Sequence, residues 1–207
     1  LPAALGYLAL AGPIVRLLLE HGVVTEESTD LLIPVLMVFV LGLVPFSTFQ
    51  LVLRAFFALQ DTRTTFLVNL VAVGVNAVSN LLLFSLLPER WKIPGLALGH
   101  VAHYTVGSAL LLYFLSKRIG GLDGARIVRA VGRMLAAGAV MFVATALVGR
   151  AVALALDPGF LRDLVTVAAG VAAGVATYLA AARLLRVEEL SLLLDVVRRR
   201  GARGTPA

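Results

Sequence analysis

Leu31-Leu-Ile-Pro34-Val-Leu-Met-Val-Phe-Val-Leu-Gly42-Leu-Val-Pro45-Phe-Ser-Thr-Phe-Gln-Leu-Val-Leu-Arg54-Ala-Phe-Phe-Ala58 runs without a charge until Arg54, close to its end. A helix needs roughly 20 apolar residues to cross a hydrocarbon core about 30 Å thick, so this stretch predicts a transmembrane helix. A strand is excluded, because an open sheet edge has no hydrogen-bond partners in lipid. Working outward, Phe66 to Leu87 carries no charge, and Ile93 to Ser116 carries none but holds His100 and His103. Ala130 to Gly149 has only Arg133, and Leu164 to Ala182 has none. Upstream, Leu1 to Leu19 is apolar but lacks the basic start of a signal peptide; it reads as a helix whose beginning is missing, in a chain cut from a longer protein. The expected fold is all-α, a polytopic membrane helix bundle of about six transmembrane segments, the first one truncated.

The composition of the whole chain agrees. Of 207 residues, 60% are hydrophobic and 14% charged, against about 45–50% and about 25% in soluble domains, and the mean hydropathy is +0.97. The absence of cysteine excludes disulfide frameworks, thiolate metal sites and cysteine nucleophiles. A net charge of +6 resembles a nucleic-acid signal until the charges are sorted by loop. Arg54 to Arg63, Lys117 to Arg133 and Arg183 onward together hold 13 Lys/Arg against 5 acidic residues. The alternate connections, Arg16 to Asp30, Glu89 to Lys92 and Arg150 to Asp163, hold 5 against 7. By the positive-inside rule the first set faces the cytoplasm. The chain is therefore expected to leave the cytoplasm in its first segment and to end inside after six spans, with no nucleic-acid partner. After Ala182, Val187, Leu190, Leu193, Leu194 and Val197 recur at helical spacing. They fit either an interfacial helix, with Arg198, Arg199, Arg200 and Arg203 at anionic headgroups, or a solvated flank.

Few residues inside the spans carry chemistry. His100 and His103 lie three apart on one helical face. They are either mid-membrane ionisable groups acting as a proton relay or ligands, or neutral histidines hydrogen-bonded between helices; no acidic residue lies in any span, and no third metal ligand is evident. Asn69, Asn76 and Asn80 stripe one face of the third segment. With Ser79, Thr105 and Ser108 they form either a polar cavity wall, with Asn76, Asn80 and Thr105 as cation candidates, or inter-helix glue. Gly42 and Pro45, like Pro2, Gly12 and Pro13, are expected to interrupt their helices, as in transporters whose freed backbone lines a cavity. Gly170-x-x-x-Gly174 permits close helix packing. At the end of the second span, Arg54 can snorkel to the interface, Asp61 can cap the helix that begins near Thr64, and Arg54 and Arg63 can receive a phosphorylated headgroup, since guanidinium matches phosphate as a fork. No cofactor is expected.

The stretch Arg54-Ala-Phe-Phe-Ala-Leu-Gln-Asp-Thr-Arg-Thr64 resembles the loop R-x-F-Y-A-x-x-D-T-[RK]-T-P of the MurJ (MviN) lipid II flippase family, within the multidrug/oligosaccharidyl-lipid/polysaccharide superfamily. Leu1-Pro2 with Ala11-Gly12-Pro13-Ile14-Val15, Glu20-His21-Gly22 with Thr25, and Pro94-Gly95-Leu96-Ala97-Leu98 resemble further passages of that family, in order. Thr65 stands where the family has Pro and Phe57 where it has Tyr. The resemblance implies a fourteen-helix flippase fold, of which this chain is the end of helix nine through helix fourteen. On that basis residues 1–120 are second-lobe helices, 121–185 the final helix pair, which resembles the proposed lipid-tail groove, and 186–207 a cytoplasmic amphipathic, basic tail. It also implies an undecaprenyl-linked lipid substrate moved across the bacterial inner membrane by alternating access, membrane lipids as neighbours, and cell-wall synthesis or division proteins as partners. The cavity arginines and aspartate of the family lie in its earlier helices, so a C-terminal part alone is not expected to transport.

Other readings remain open at this point. One is a different exporter of the same superfamily, moving a polysaccharide-lipid or a drug. Another is a membrane enzyme using His100 and His103, although such enzymes usually show acidic or His-rich interfacial motifs. A third is a scaffold that recruits cell-wall enzymes.

Overall fold

The computed structural model of the chain describes residues 1–19, 26–121 and 123–185. Among the described residues there are six helices and no strand: α1 Pro2–Leu19, α2 Glu26–Ala58, α3 Thr62–Leu86, α4 Glu89–Arg118, α5 Gly124–Ala155 and α6 Phe160–Leu184. All six are long and apolar enough to cross a bilayer. The Glu20–Thr25 turn and the tail from Val187 lie outside the described residues.

The helices run past the apolar windows that mark them in the sequence. α2 begins at Glu26 instead of Leu31, α4 at Glu89 instead of Ile93, and α5 at Gly124 instead of Ala130. An apolar window measures only the part of a helix that suits hydrocarbon; backbone hydrogen bonding continues into the headgroup layer. The 32 residues of α5 rise about 48 Å at about 1.5 Å per residue, well beyond a core of about 30 Å. The expected interruptions do not occur either. Pro13 lies inside α1, Pro34 and Pro45 inside α2, and Pro94 inside α4. A proline withdraws one N–H from the helix, which a membrane helix tolerates when nearby polar groups stay paired. Just after Pro45, the hydroxyls of Ser47 and Thr48 donate to the carbonyls of Leu43 and Val44 at 2.7 and 3.0 Å.

The chain divides into two compact units. In the unit of Ala11–Leu122, α4 packs along both α2 and α3, which touch each other little. Its core is Phe49, Val52, Phe56, Val68 and Leu111, with Phe56 and Leu111 essentially sealed. Gly107 of α4 makes room at the meeting point of the three helices. A Cβ there would stand 2.8 Å from the Phe49 ring and 3.4 Å from Ala72.

The other unit comprises Leu1–Leu10 and the chain from Asp123, with α5 packed along α6. Small residues make that seam. Ala137, Ala181 and Ala182 are buried, and Thr145 Oγ1 donates to the Gly170 carbonyl at 3.4 Å. A Cβ on Gly174 would lie 2.9 Å from Thr145 Oγ1, and one on Gly170 would lie 2.8 Å from Leu10. Gly170-x-x-x-Gly174 is thus an internal packing device of this unit. Outward-facing positions in both units are apolar: Leu154 is 90% exposed, Leu81 72% and Leu51 70%. In water such a surface would aggregate; against acyl chains it is at home.

Candidate functional site

The α2–α3 corner is built from a helix stop and a helix start that share one residue. Asp61 N–H donates to the Phe56 carbonyl and Gln60 N–H to the Phe57 carbonyl, both at 3.0 Å. This is the paired ending that satisfies the last carbonyls of a helix. It places Gln60 at φ 56°, a left-handed conformation that costs a non-glycine residue about 1–2 kcal/mol. Asp61 then caps α3. Its carboxylate accepts from Thr64 N–H at 3.0 Å, one of the backbone donors a helix start leaves unpaired, and from the Thr64 hydroxyl at 2.9 Å. The same carboxylate takes the guanidinium of Arg118, from the last turn of α4. The Thr64 backbone bond, then the Thr64 hydroxyl, and also the Arg118 charge hold Asp61 below the usual carboxylate range. Arg54 and Arg63 flank this corner, both exposed. Neither forms an ion pair among the described residues, so two guanidinium groups remain available there while Arg118 is committed.

A second polar place lies between α3 and α4. Asn80 Nδ2 donates to Asn76 Oδ1 at 3.2 Å, one turn apart on α3. Asn80 Oδ1 is buried and lacks a hydrogen-bond partner. It sits where a side chain on Gly99 would otherwise be, since any Cβ at position 99 would overlap it. Glycine at 99 is therefore what admits the carboxamide between the helices. Thr105 is not joined to this pair: it is exposed, and its hydroxyl donates to the Val101 carbonyl at 2.7 Å. Ser108 is buried and donates to the Thr105 carbonyl at 3.1 Å.

His100 and His103 face α2 through rings. Their planes lie 13° apart with centroids at 6.3 Å, and both stand edge-on to Tyr104, at 4.9 and 4.7 Å. Phe39 meets His100 at 5.6 Å, and Phe49 meets His103 at 6.1 Å. Phe46 closes on Tyr104 at 4.9 Å. Edge-to-face pairs of this sort contribute about 0.5–1.5 kcal/mol each beyond burial. Among the described residues, no three His, Cys, Asp or Glu side chains gather as a metal would require.

Two elements of these sites were not singled out from the sequence, Arg118 and Gly99. Arg118 belonged only to a basic loop count. Gly99 follows Gly95 by four residues, a small-residue spacing of the kind that marks close helix approach and that would have flagged it.

Compared with known proteins, residues 1–178 match the family described as lipid II flippase MurJ. The chain belongs to the lipid II flippase MurJ family. Among the family's curated members, a probable lipid II flippase MurJ of Rhizobium meliloti (strain 1021) is 33% identical over 144 residues, 70% of this chain and 26% of that protein. One from Thermotoga maritima is 28% identical over 194 residues, 94% of this chain and 37% of that protein. The lipid II flippase MurJ of Thermosipho africanus is 26% identical over 113 residues, 55% of this chain and 23% of that protein. The chain thus spans well under half the length of the MurJ relatives it matches. Its place in the family and its six apolar helices make it a multi-pass membrane protein.

Proposed function

We propose that this chain supplies α1–α6 to a lipid II flippase of the bacterial cell membrane. The flippase carries the undecaprenyl-pyrophosphate-linked peptidoglycan precursor to the outer leaflet by alternating access. The observation that carries this reading is the family match over residues 1–178; the relatives are named as flippases, which are transporters and not enzymes. An unpaired diphosphate is prohibitively costly in hydrocarbon, so such a protein must meet the headgroup with fixed cations. In this chain Arg54 and Arg63 serve as the first contact from the cytoplasmic side, and both are exposed and unpaired at the α2–α3 corner. The excess of Lys/Arg on that side supports a cytoplasmic corner and a cytoplasmic C-terminus.

Asn76 and Asn80 supply the polar lining in this reading. The unpartnered Asn80 Oδ1 has the chemistry of a ligand for a hard cation, and Thr105 belongs with them only if its hydroxyl leaves the Val101 carbonyl. His100 and His103 serve packing against α2, given their ring neighbours Phe39 and Phe49 on that helix.

The test is transport of a lipid-linked pyrophosphate by the full-length protein in proteoliposomes. Arg54→Ala and Arg63→Ala are each expected to lower the rate about five- to tenfold, in line with the loss of one charge-assisted hydrogen bond at a partly solvated site. No transport by the unaltered protein would refute the flippase reading. Unchanged rates in both variants would remove the two arginines from it.

A further inference from the structure

The two exposed arginines leave one question open: what holds their corner in place. α2 and α3 touch each other little, so their short connection is not fixed by packing between the two helices it joins. Backbone bonds from Gln60 and Asp61 close the end of α2, and the Asp61 carboxylate ties that turn to α3 and α4. On one side it binds the start of α3 through Thr64. On the other it binds Arg118 at the end of α4, the helix that packs on both α2 and α3. We infer that Asp61 and Arg118 act as a positioning pair for headgroup capture, a clasp from α4 that sets Arg54 and Arg63 where an incoming diphosphate meets them both. This inference rests on the flippase reading and adds two residues to it that touch no substrate.

The geometry favours positioning over direct binding. Arg118 already satisfies, and is satisfied by, a carboxylate, so recruiting it to an anionic ligand would require breaking that pair. Arg54 and Arg63 have no such competitor. A guanidinium fork binds phosphate oxygens only within a narrow range of placement, and small misplacements of positioning groups reduce capture disproportionately.

The test separates this role from two others. In the full-length protein, Asp61→Asn keeps an oxygen to cap Thr64 N–H and replaces the oxygen that holds Arg118 and the Thr64 hydroxyl with an uncharged amide nitrogen. Arg118→Gln removes the other partner. A positioning clasp predicts that each single change raises KM for the lipid-linked pyrophosphate about fivefold with kcat within twofold of normal. The double variant should be no worse than either single one, because the pair acts as a unit. If the charges acted on the ligand directly, the two variants would shift KM in opposite directions, since one adds a free cation to the corner and the other a free anion. If the pair only held the fold, kcat would fall with the loss of folded protein and KM would not change selectively. Either result overturns the inference, as do additive effects in the double variant. Transport absent in the unaltered protein would instead count against the flippase reading, so the two failures are distinguishable.

Discussion

Helices α5 and α6 meet through Gly170, Gly174 and Thr145, whereas α3 and α4 meet through Gly99 and Asn80. Both seams use glycine to bring backbones close, but they differ in what fills the space that glycine leaves. In the first, a threonine hydroxyl and a leucine side chain close it, and the Thr145 hydroxyl is paired with the Gly170 carbonyl. In the second, a carboxamide enters and keeps one acceptor without a partner. Lipid gives no hydrophobic drive to helix association, so each seam depends on close packing and on polar pairs worth about 0.6 kcal/mol on average. A seam built for stability alone is expected to look like α5–α6. The α3–α4 seam gives up one hydrogen bond, and that surplus polarity is what nominates it for function.

The contrast can be broken by mutation. The largest effect is expected from Gly99→Ala, whose Cβ overlaps the Asn80 side chain. Overpacking of this kind costs about 1–3 kcal/mol, read as a lower Tm for the full-length protein, and Asn80→Ala in the same molecule should restore most of it. No rescue would mean that Asn80 is not what Gly99 accommodates. Gly174→Ala should cost less, about 1 kcal/mol, because its Cβ meets one hydroxyl at 2.9 Å. In a Thr145→Ala background the penalty should vanish; a penalty that persists would place the constraint elsewhere in the seam.

The smallest effect concerns pH. Asp61 is held below its ordinary range, and the ordinary value is about 3.9. The cap and the Arg118 pair are therefore fully present above that value, and they weaken only as pH falls through the lowered one. The Tm difference between the unaltered protein and Asp61→Asn should stay constant from about pH 5 to 8 and shrink in stronger acid. A difference that changed near neutrality would contradict the bonds drawn at this corner.

Much of the fold was legible because hydrocarbon imposes a length and a composition on any helix that crosses it. The six spans, and the small-residue packing at Gly170 and Gly174, follow from that alone. Helix ends were less legible: Glu26, Glu89 and Arg126 are polar yet helical, since only the middle of a spanning helix has to be apolar. Proline misled as well. Pro45 is a poor residue for a helix in isolation, but in a bilayer the alternatives to helix are worse. Of the candidate sites, the Asp61 cap was readable because it involves neighbours in sequence, and the structure extends it to Arg118. That partner lies 57 residues away, and nothing in a one-dimensional pattern distinguishes it from Lys117 beside it. The Asn80–Gly99 fit was hidden for the same reason: it is a contact between helices, visible only once their register is set.

The place of α4 between α2 and α3 has a consequence for biosynthesis. α2 and α3 are joined by a three-residue connection and emerge from the ribosome together, yet they have little to hold on to in each other. Until α4 is made, Asn80 has no Gly99 to receive it, and the Asp61 carboxylate lacks the Arg118 guanidinium. Synthesis order therefore leaves a hairpin waiting in the membrane with Asn80 uncovered at one end and the Asp61 carboxylate at the other, and α4 meets both.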